Sequence, residues 1–442
     1  MVLRGWLVAA VAIVSCVLTA DARAAGHYFK VGYAPSQNTN ELQIGVRHTL
    51  WIPDGATKLR GLIVHQHGCG AGACKGGETA AHDLHWQALA KKWDCGLLGP
   101  SYQQEERQNC RLWCDPRNGS EKAFLRAIRD LARDSCHTEL ETAPWCLWGH
   151  SGGGFWASLM QTMHPDRIVA IWCRSGTALG AWERGEVPRP EITAEALAIP
   201  TMCNPGEKEK GHARFDGAWT GLMAMFQQYR AQGAPIGFAP DPNTAHECGD
   251  SRYLAIPFFD ACLALRLPAT VGEPLRSVDM KGSWLGDLSS HQPFPAGDYS
   301  GDPRTAVWLP DAKVAKAWTE YIITGEVADA TPPNAPANLR IERKPDGAIL
   351  RWEAEADLES GIQAFLILRD GMEIGRVPEK LGSRFGKAIF QPMSYHDTPE
   401  PPLPEMFFED KGGSAGNHEY AVVTVNAAGL KSPKSAAVRS RE

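Results

Sequence analysis

The feature that most constrains the fold of this chain is a series of short apolar runs that precede residue 329. Six of them are bounded by Gly, Pro or polar turns, at residues 59–66, 94–100, 144–149, 167–173, 199–204 and 234–240. Near-continuous apolar strands are typical of a parallel sheet that is covered on both faces. Amphipathic helical stretches lie between the runs, and this alternation implies right-handed βαβ crossovers. The sequence therefore predicts an α/β fold with a mostly parallel sheet, helices on both faces, and antiparallel edge strands at residues 28–34 and 43–54.

A Pro-rich stretch, DATPPNAPANL at residues 329–339, divides the chain. It has neither a strand nor a helix period, which is typical of a linker. Beyond it, segments around Trp352 and Tyr420 alternate with period two, and this predicts an all-β sandwich. The opening TPPNAPANLRI, the early Trp352 and the late YAVVTVNAAG resemble a fibronectin type III domain, in which Trp352 would be a core residue.

The predicted units are a signal peptide at residues 1–24, an α/β domain at 25–328, a linker at 329–336 and a β-sandwich at 337–442. No cysteine and no candidate catalytic residue falls in the last unit. This division predicts that the α/β domain keeps its activity on small substrates when the chain ends near Asp329.

One serine stands at a sharp corner after the third apolar run. Residues 149–153, Gly-His-Ser-Gly-Gly, fit the G-x-S-x-G pattern between a predicted strand and a predicted helix. At such a junction the backbone of the serine is strained and its hydroxyl is exposed at the edge of the sheet. The pattern resembles the α/β-hydrolase family and predicts that Ser151 is a nucleophile. The alternative is a Gly-rich turn in which the serine has no catalytic role.

A serine hydroxyl needs a general base to attack near neutral pH. In the α/β-hydrolase order, an acid and then a histidine follow the serine along the chain. His246 lies in a loop between the last predicted strand of the sheet and a long amphipathic helix, where that base is expected. His212 and His291 are the alternatives, whereas His396 belongs to the predicted second domain.

The acid that orients the base is expected after the run at residues 199–204. In α/β-hydrolases this strand often reads as a proline, five residues, a glycine, two residues and then the acid. Counting from Pro200 gives Gly206 and then Glu209, so Glu209 is the predicted acid. Asp216 is the next candidate and Glu207 the last, because an EKEK stretch is also typical of a solvated turn.

A tetrahedral oxyanion requires backbone donors aimed at it. The amide of Gly152, directly after the nucleophile, is one predicted donor. The second is expected from the small-residue loop that starts at His67, with the amide of Cys69 favoured over that of Gly70. His65 and His67 have no third ligand at metal spacing, so no metal site is predicted.

With these residues assigned, the HGC loop, the GHSGGG corner and the late His246 resemble secreted esterases of the polyhydroxybutyrate depolymerase and feruloyl or acetylxylan esterase type, over roughly residues 59–267. The resemblance implies hydrolysis of a carboxylic ester through an acyl-enzyme, without a cofactor. The implied substrate is soluble or part of a polysaccharide or polyester. Glu209 departs from the aspartate that is usual there. A serine peptidase of prolyl-oligopeptidase type and a non-catalytic surface-binding protein are the two other hypotheses.

The N-terminus and the charge indicate where the chain works. Arg4, an apolar stretch and the small residues Ala22-x-Ala24 form a secretory signal, with cleavage expected after Ala24 or, as second choice, after Ala22. The alternatives are a lipidated Cys16 in a lipobox-like IVSC and an uncleaved N-terminal anchor. The formal net charge is −6, and no block of Lys or Arg predicts a nucleic-acid partner.

Twelve cysteines support an oxidising compartment, and eleven of them lie between Cys69 and Cys262. Their connectivity cannot be deduced from sequence. Because eleven is an odd number, at least one of these thiols is predicted to stay free or to pair between chains. Cys95, Cys146 and Cys173 sit in apolar runs, where they would be either disulfide-bonded or small buried hydrophobic residues.

Overall fold

The computed structural model describes residues 26–345, 347–400, 403, 405–412 and 417–440, and the predicted signal peptide and Cys16 lie outside them. Its largest element is an eight-stranded sheet in the order β1-β2-β4-β3-β5-β6-β7-β8. The strands are β1 Gly26–Tyr33, β2 Val46–Pro53, β3 Gly61–Gln66, β4 Cys95–Tyr102, β5 Trp145–His150, β6 Ile168–Arg174, β7 Thr201–Asn204 and β8 Ile236–Phe238.

The direction of the strands follows the apolar pattern of the sequence. The six strands from β3 to β8 run parallel to one another, and every residue in them is buried. β1 and β2 pair antiparallel at one edge, and β2 pairs antiparallel with β4. The predicted edge strands are thus confirmed, and the mixed sheet with its helices fits the α/β-hydrolase architecture.

Ten helices occur in the described part of the chain: α1 Ala71–Thr79, α2 Leu84–Lys92, α3 Arg111–Cys114, α4 Ser120–Ser135, α5 Gly152–Met163, α6 Leu179–Glu183, α7 Ala194–Leu197, α8 Asp216–Ala231, α9 Arg252–Arg266 and α10 Ala312–Thr324. The amphipathic stretches of the sequence explain them. In α4, for example, Phe124, Ile128 and Leu131 fall on one buried face at helical spacing. None of the described helices is both long enough and apolar enough to cross a membrane.

The segment that follows α9 lies beyond the residues that resemble the esterases. It forms a cap on the far edge of the sheet. It contributes a small antiparallel sheet of β9 Trp284–Gly286, β10 Pro293–Pro295 and β11 Val307–Leu309, followed by α10. Trp318 of α10 is fully buried and its indole N–H donates to the carbonyl of Phe238 at 2.8 Å. The segment therefore completes the core beside β8.

Two antiparallel sheets follow the Pro-rich stretch. One has the order β12-β13-β16 and the other β15-β14-β17-β18. Their strands are β12 Ala337–Lys344, β13 Gly347–Glu353, β14 Ala364–Arg369, β15 Met372–Val377, β16 Phe407–Asp410, β17 Glu419–Val425 and β18 Val438–Arg439. Trp352 is fully buried and packs edge-on against Phe365 with ring centroids 5.3 Å apart. The prediction that Trp352 is a core residue is confirmed, and the two sheets are compatible with the predicted sandwich.

The two halves of the chain are joined by a buried charge network. Between β15 and β16, residues 385–400 cross to the α/β half, and we refer to them as the docking segment. Within it, Asp397 is fully buried and lies 2.7 Å from the guanidinium of Arg252 on α9, which also pairs with Asp83 at 2.7 Å. Truncation at Asp329 would remove one of the two carboxylates that balance this buried cation. That the α/β half keeps its activity without the second half stays a prediction.

Replacing Asp397 with asparagine is expected to lower the free energy of unfolding by about 3 kcal/mol, since removal of one partner from a buried ion pair leaves charge uncompensated. The matched control is Glu405→Gln. Glu405 pairs with Arg351 on the surface, where both side chains are well exposed, and exposed pairs contribute at most about 1 kcal/mol. Equal unfolding midpoints in urea for the two variants would contradict this account of the network.

The effect of Asp397 should also depend on pH. Burial alone would raise the pKa of the Asp397 carboxyl, but Arg252 and His65 beside it lower that pKa below its ordinary value. A carboxyl with a lowered folded-state pKa stabilises the protein above its unfolded pKa of about 3.9 and loses that contribution as the pH falls further. The stability difference between wild type and Asp397→Asn is therefore expected to be full at neutral pH and to shrink below about pH 4.

Candidate active site

Ser151 stands at the corner between β5, which ends at His150, and α5, which begins at Gly152. Its φ of 53° lies in the left-handed region, which costs a non-glycine residue strain. The flanking glycines are required by close packing. A Cβ on Gly149 would overlap the backbone of Gly153 across the turn. The local sequence thus forces the serine into the conformation that the G-x-S-x-G pattern predicts.

Three predicted residues meet at this corner. His246 Nε2 lies 2.9 Å from Ser151 Oγ, and His246 Nδ1 lies 2.5 Å from Glu209 Oε1. Glu209 is fully buried at the end of a short 3₁₀ turn after β7, and its second oxygen accepts the amide N–H of Gly206 at 3.2 Å. The ring of Phe215 stacks on the His246 imidazole, with centroids 4.0 Å apart. This arrangement orients one imidazole nitrogen to a carboxylate and the other to the serine hydroxyl.

The loop that carries His246 is held by Arg174, a residue that the sequence analysis missed. Arg174 is the last residue of β6 and is fully buried. Its guanidinium donates to Thr244 Oγ1 at 2.7 Å and also to the carbonyl of Glu247, so it contacts both sides of His246. It donates as well to the carbonyl of Asn204 at 3.1 Å, which ends β7. The sequence signal that could have identified it is a charged residue at the end of an otherwise apolar strand.

Two backbone amides are free to face an oxyanion at Ser151. The amide of Gly152 is the first of α5, where helices have no internal acceptor for the N–H group. The amide of Cys69 donates to no backbone or side-chain acceptor among the described residues, whereas that of Gly70 donates to Gln104 Oε1 at 3.1 Å. A Cβ built on Gly152 would lie 3.4 Å from the Cys69 nitrogen. The geometry therefore favours Cys69 over Gly70 beside Gly152.

A disulfide anchors this oxyanion loop. Cys69 is bonded to Cys110, 41 residues further along the chain, and the predicted presence of a disulfide is confirmed. A Cβ on Gly152 would overlap Cys69 Sγ and lie 3.1 Å from Cys110 Sγ, so the bond passes directly over the start of α5. The nine other described cysteines are free, and all of them except Cys136 are buried. Cys95, Cys146 and Cys173 are thus small buried residues in the core.

Replacing Cys110 with serine is expected to lower kcat by about 10-fold, since loss of one oxyanion donor costs about 10²–10³ and a loosened donor costs less. The unfolding temperature is measured beside kcat and KM, and disulfide mapping checks that Cys114, within 4.8 Å of both sulfurs, has not replaced the lost partner. The control is Cys136→Ser, which removes an exposed free thiol. An unchanged kcat in a Cys110→Ser protein without a new disulfide would contradict a role for this bond.

The alternative candidates lie away from the serine. Asp216, at the start of α8, accepts the amide N–H of Gly211 at 2.6 Å on the surface. Glu207 is exposed on the same 3₁₀ turn as Glu209. His212 is exposed and stacks on Phe215 at 5.0 Å. His291 lies between β9 and β10, in the segment that caps the sheet edge.

His67, which begins the oxyanion loop, and His65, which lies in β3 just before it, both have structural partners. His67 Nδ1 donates to the carbonyl of Gly68 at 2.6 Å, and its Nε2 accepts the amide N–H of Tyr102 at 3.3 Å. Burial lowers the pKa of His67 to about 4, so the ring stays neutral and keeps this tautomer. His65 stacks on Trp148 with ring centroids 3.9 Å apart. His67 therefore ties the loop to β4, and His65 packs against β5 just before the loop begins.

One cluster in the described part of the chain has the spacing of metal ligands, namely Cys69, Cys110 and Cys114. Two of these sulfurs form the disulfide, so they are not available as thiolates. The cluster therefore does not fit a metal site while the disulfide is intact.

The docking segment also reaches the site, which the sequence analysis did not predict. The carbonyl of Tyr395 accepts the amide N–H of Cys248 at 3.1 Å, two residues beyond His246. His396 lies with its Nδ1 2.6 Å from Nδ1 of His150, directly before the serine. The second half of the chain thus contacts both the histidine loop and the serine corner.

Comparison with known proteins gives structural matches only. No protein-family model matches the chain, and no curated protein sequence matches it. An S-formylglutathione hydrolase from Agrobacterium tumefaciens matches at a TM-score of 0.36 and 13% identity, over 55% of this chain and 94% of that one. A ferulic acid esterase matches at a TM-score of 0.35 and 12% identity, over 50% and 92%.

A third match covers a smaller part of each chain. A family 28 exopolygalacturonase from Yersinia enterocolitica matches at a TM-score of 0.18 and 15% identity, over 24% of this chain. The match spans only 20% of the length of that exopolygalacturonase. All three TM-scores lie below 0.5, a level of similarity that does not by itself define the chemistry of the site.

Proposed function

We propose that the protein is a serine esterase that hydrolyses carboxylic esters through an acyl-enzyme. The observation that carries the proposal is the continuous hydrogen-bond path from Ser151 Oγ through His246 to the buried Glu209, at 2.9 Å and 2.5 Å. The amide of Gly152 directly follows this serine, and the Cys69 nitrogen lies 3.4 Å from where a Cβ on Gly152 would be. Nucleophile, base, acid and oxyanion donors are the complete set that acyl transfer requires.

The mechanism follows from the position of each group. Ser151 Oγ attacks the ester carbonyl while its proton passes to His246 Nε2, and the negative oxygen is stabilised by the amides of Gly152 and Cys69. Glu209 holds Nδ1–H and stabilises the imidazolium that forms. The imidazolium then protonates the leaving alcohol, and the acyl group stays on Ser151. Water, deprotonated by His246, then attacks the acyl carbonyl. The bond from the acyl carbon to Ser151 Oγ breaks, and the imidazolium returns its proton to Oγ as the acid is released.

Export to an oxidising compartment is part of the proposal. The signal-like N-terminus and the Cys69–Cys110 disulfide support it, since disulfides persist mainly outside the cytosol. The α/β domain at 25–328, the linker at 329–336 and a fibronectin type III-like domain at 337–442 are the proposed division. If the substrate is a polymer, we propose that it is a polysaccharide or a polyester.

A substrate panel tests the reaction type. Purified protein is assayed against p-nitrophenyl esters of graded acyl length and against peptide p-nitroanilides. We expect turnover of the esters and little of the anilides. Preferential hydrolysis of the anilides would favour the peptidase hypothesis, and no turnover of either class by folded protein would favour the non-catalytic one.

A further inference from the structure

The docking segment places a histidine of the second half of the chain against the catalytic corner. The ring of His396 is half-buried, with its Nδ1 2.6 Å from Nδ1 of the fully buried His150. A Cβ built on Gly68 would lie 2.9 Å from His396 Cε1 and 3.2 Å from Ser151 Cβ. His396 therefore packs beside the oxyanion loop, within one side-chain layer of the nucleophile.

The direction of the hydrogen bonds in this pair is fixed by a carbonyl group. His150 Nε2 lies 2.6 Å from the carbonyl oxygen of His246, and that oxygen can only accept. His150 therefore carries its proton on Nε2, and a neutral ring then has a lone pair on Nδ1. The proton between the two histidines must come from His396 Nδ1. The hydrogen bonds therefore run in one direction: His396 donates to His150, and His150 donates to the carbonyl of His246.

Both imidazole rings are neutral, as this series of hydrogen bonds requires. Burial, together with neighbouring histidines, lowers the pKa of His396 to about 3. Burial first, and then His396, His246 and Arg174, hold the pKa of His150 well below its ordinary value. The tautomers inferred from the geometry therefore persist at neutral pH.

We propose that His396 is a positioning residue for the catalytic histidine, acting through His150. The inference rests on the proposed function and extends it, because it makes the second half of the chain part of the active site. The docking segment holds the histidine loop at two points, since His396 acts through His150 on the carbonyl of His246 and the carbonyl of Tyr395 accepts the amide N–H of Cys248.

Loss of the His396 donor has a defined consequence. His150 Nδ1 would be left buried without its donor, or the ring would change tautomer and turn a lone pair toward the His246 carbonyl. The first outcome holds the His150 ring less firmly, and the second turns two acceptors toward each other. Each lets the peptide of His246 move, and with it the imidazole between Glu209 and Ser151. Misplacement of a catalytic group by about 1 Å can cost about 10²-fold in rate.

The test compares two substitutions at one position. His396→Leu removes the donor while filling the space, and we expect kcat on p-nitrophenyl acetate to fall about 10- to 100-fold with a smaller change in KM. In His396→Asn the amide nitrogen, like Nδ1, is bonded to Cγ, so it restores a donor near the same place. We expect His396→Asn to recover most of the lost kcat. His418→Leu, at a half-exposed histidine of the second half that pairs with Asp370, is the matched control and should retain wild-type kcat.

Three kinetic outcomes would overturn the inference. These are a wild-type kcat in His396→Leu, an equal loss in the Leu and Asn variants, and a loss confined to KM. The first leaves no role for the ring, the second indicates packing alone, and the third indicates direct substrate contact. A wild-type protein that hydrolyses no ester would instead overturn the proposed function.

A spectroscopic measurement tests the hydrogen-bond chain without any activity. Long-range ¹H–¹⁵N correlation on histidine-labelled wild-type protein is expected to show His150 protonated on Nε2 and His396 protonated on Nδ1. This experiment also applies when the leucine variant fails to fold. The opposite tautomer on either ring would overturn the inference.

Discussion

Replacement of Ser151 with alanine is expected to lower kcat/KM for ester hydrolysis by about 10⁴-fold or more, because loss of one member of a catalytic triad removes most of what the whole triad contributes. Ser151 Oγ lies 2.9 Å from His246 Nε2, and no other described residue forms a hydrogen bond with that nitrogen. Alanine keeps the Cβ and the strained corner, and the unfolding temperature should change little.

The assay uses p-nitrophenyl acetate with wild type, Ser151→Ala and Ser290→Ala. Ser290 is exposed in the segment that caps the sheet, where its hydroxyl accepts the amide N–H of Gln292, so its variant should keep wild-type kcat. A Ser151→Ala protein that retains substantial activity after purification would end the assignment of the nucleophile.

Glu209→Gln is expected to lower kcat by about 10²–10⁴-fold with little change in KM. The substitution keeps the shape of a fully buried side chain but removes the charge that stabilises the imidazolium during attack. It also favours the wrong histidine tautomer, because an amide nitrogen that faces Nδ1 donates a proton instead of accepting one. The lost interaction is made mainly in the transition state, which places the effect on kcat.

Asp216→Asn is the matched control for the acid. It is also isosteric and also removes one negative charge, but among the described residues the Asp216 carboxylate pairs with a surface amide, that of Gly211, at 2.6 Å. Its kcat should stay within a few-fold of wild type. Collapse of activity in Asp216→Asn with near wild-type activity in Glu209→Gln would transfer the acid to Asp216.

The part of the fold that could be predicted from sequence is the part that local rules determine. The six parallel strands of the sheet coincide with near-continuous apolar runs, and the corner at Ser151 is defined by glycines within a few positions of it. Glu209 was reached by counting from Pro200, and its place beside His246 now supports that hypothesis. Its catalytic role stays a prediction until the kinetics above are measured.

The contacts that could not be predicted join residues far apart in the chain. His150 and His396 are 246 positions apart, and neither belongs to a pattern that identifies the other. The partner of Cys69 could not be chosen among ten other cysteines, since spacing does not encode connectivity. Arg174 holds the His246 loop only because the ends of β6 and β7 and that loop converge on it. The loop-like composition of the docking segment gave no signal that it packs on the α/β half.

Covalent labelling tests the central claim, a serine nucleophile activated by His246, most directly. Folded wild-type protein is treated with a fluorophosphonate probe, digested, and mapped by mass spectrometry. The account predicts one probe per chain on the peptide that contains Ser151, no labelling of Ser151→Ala, and ester hydrolysis that falls in proportion to the labelled fraction. Ester hydrolysis by a wild-type protein that takes up no probe, or that takes it up at another residue, would contradict the account.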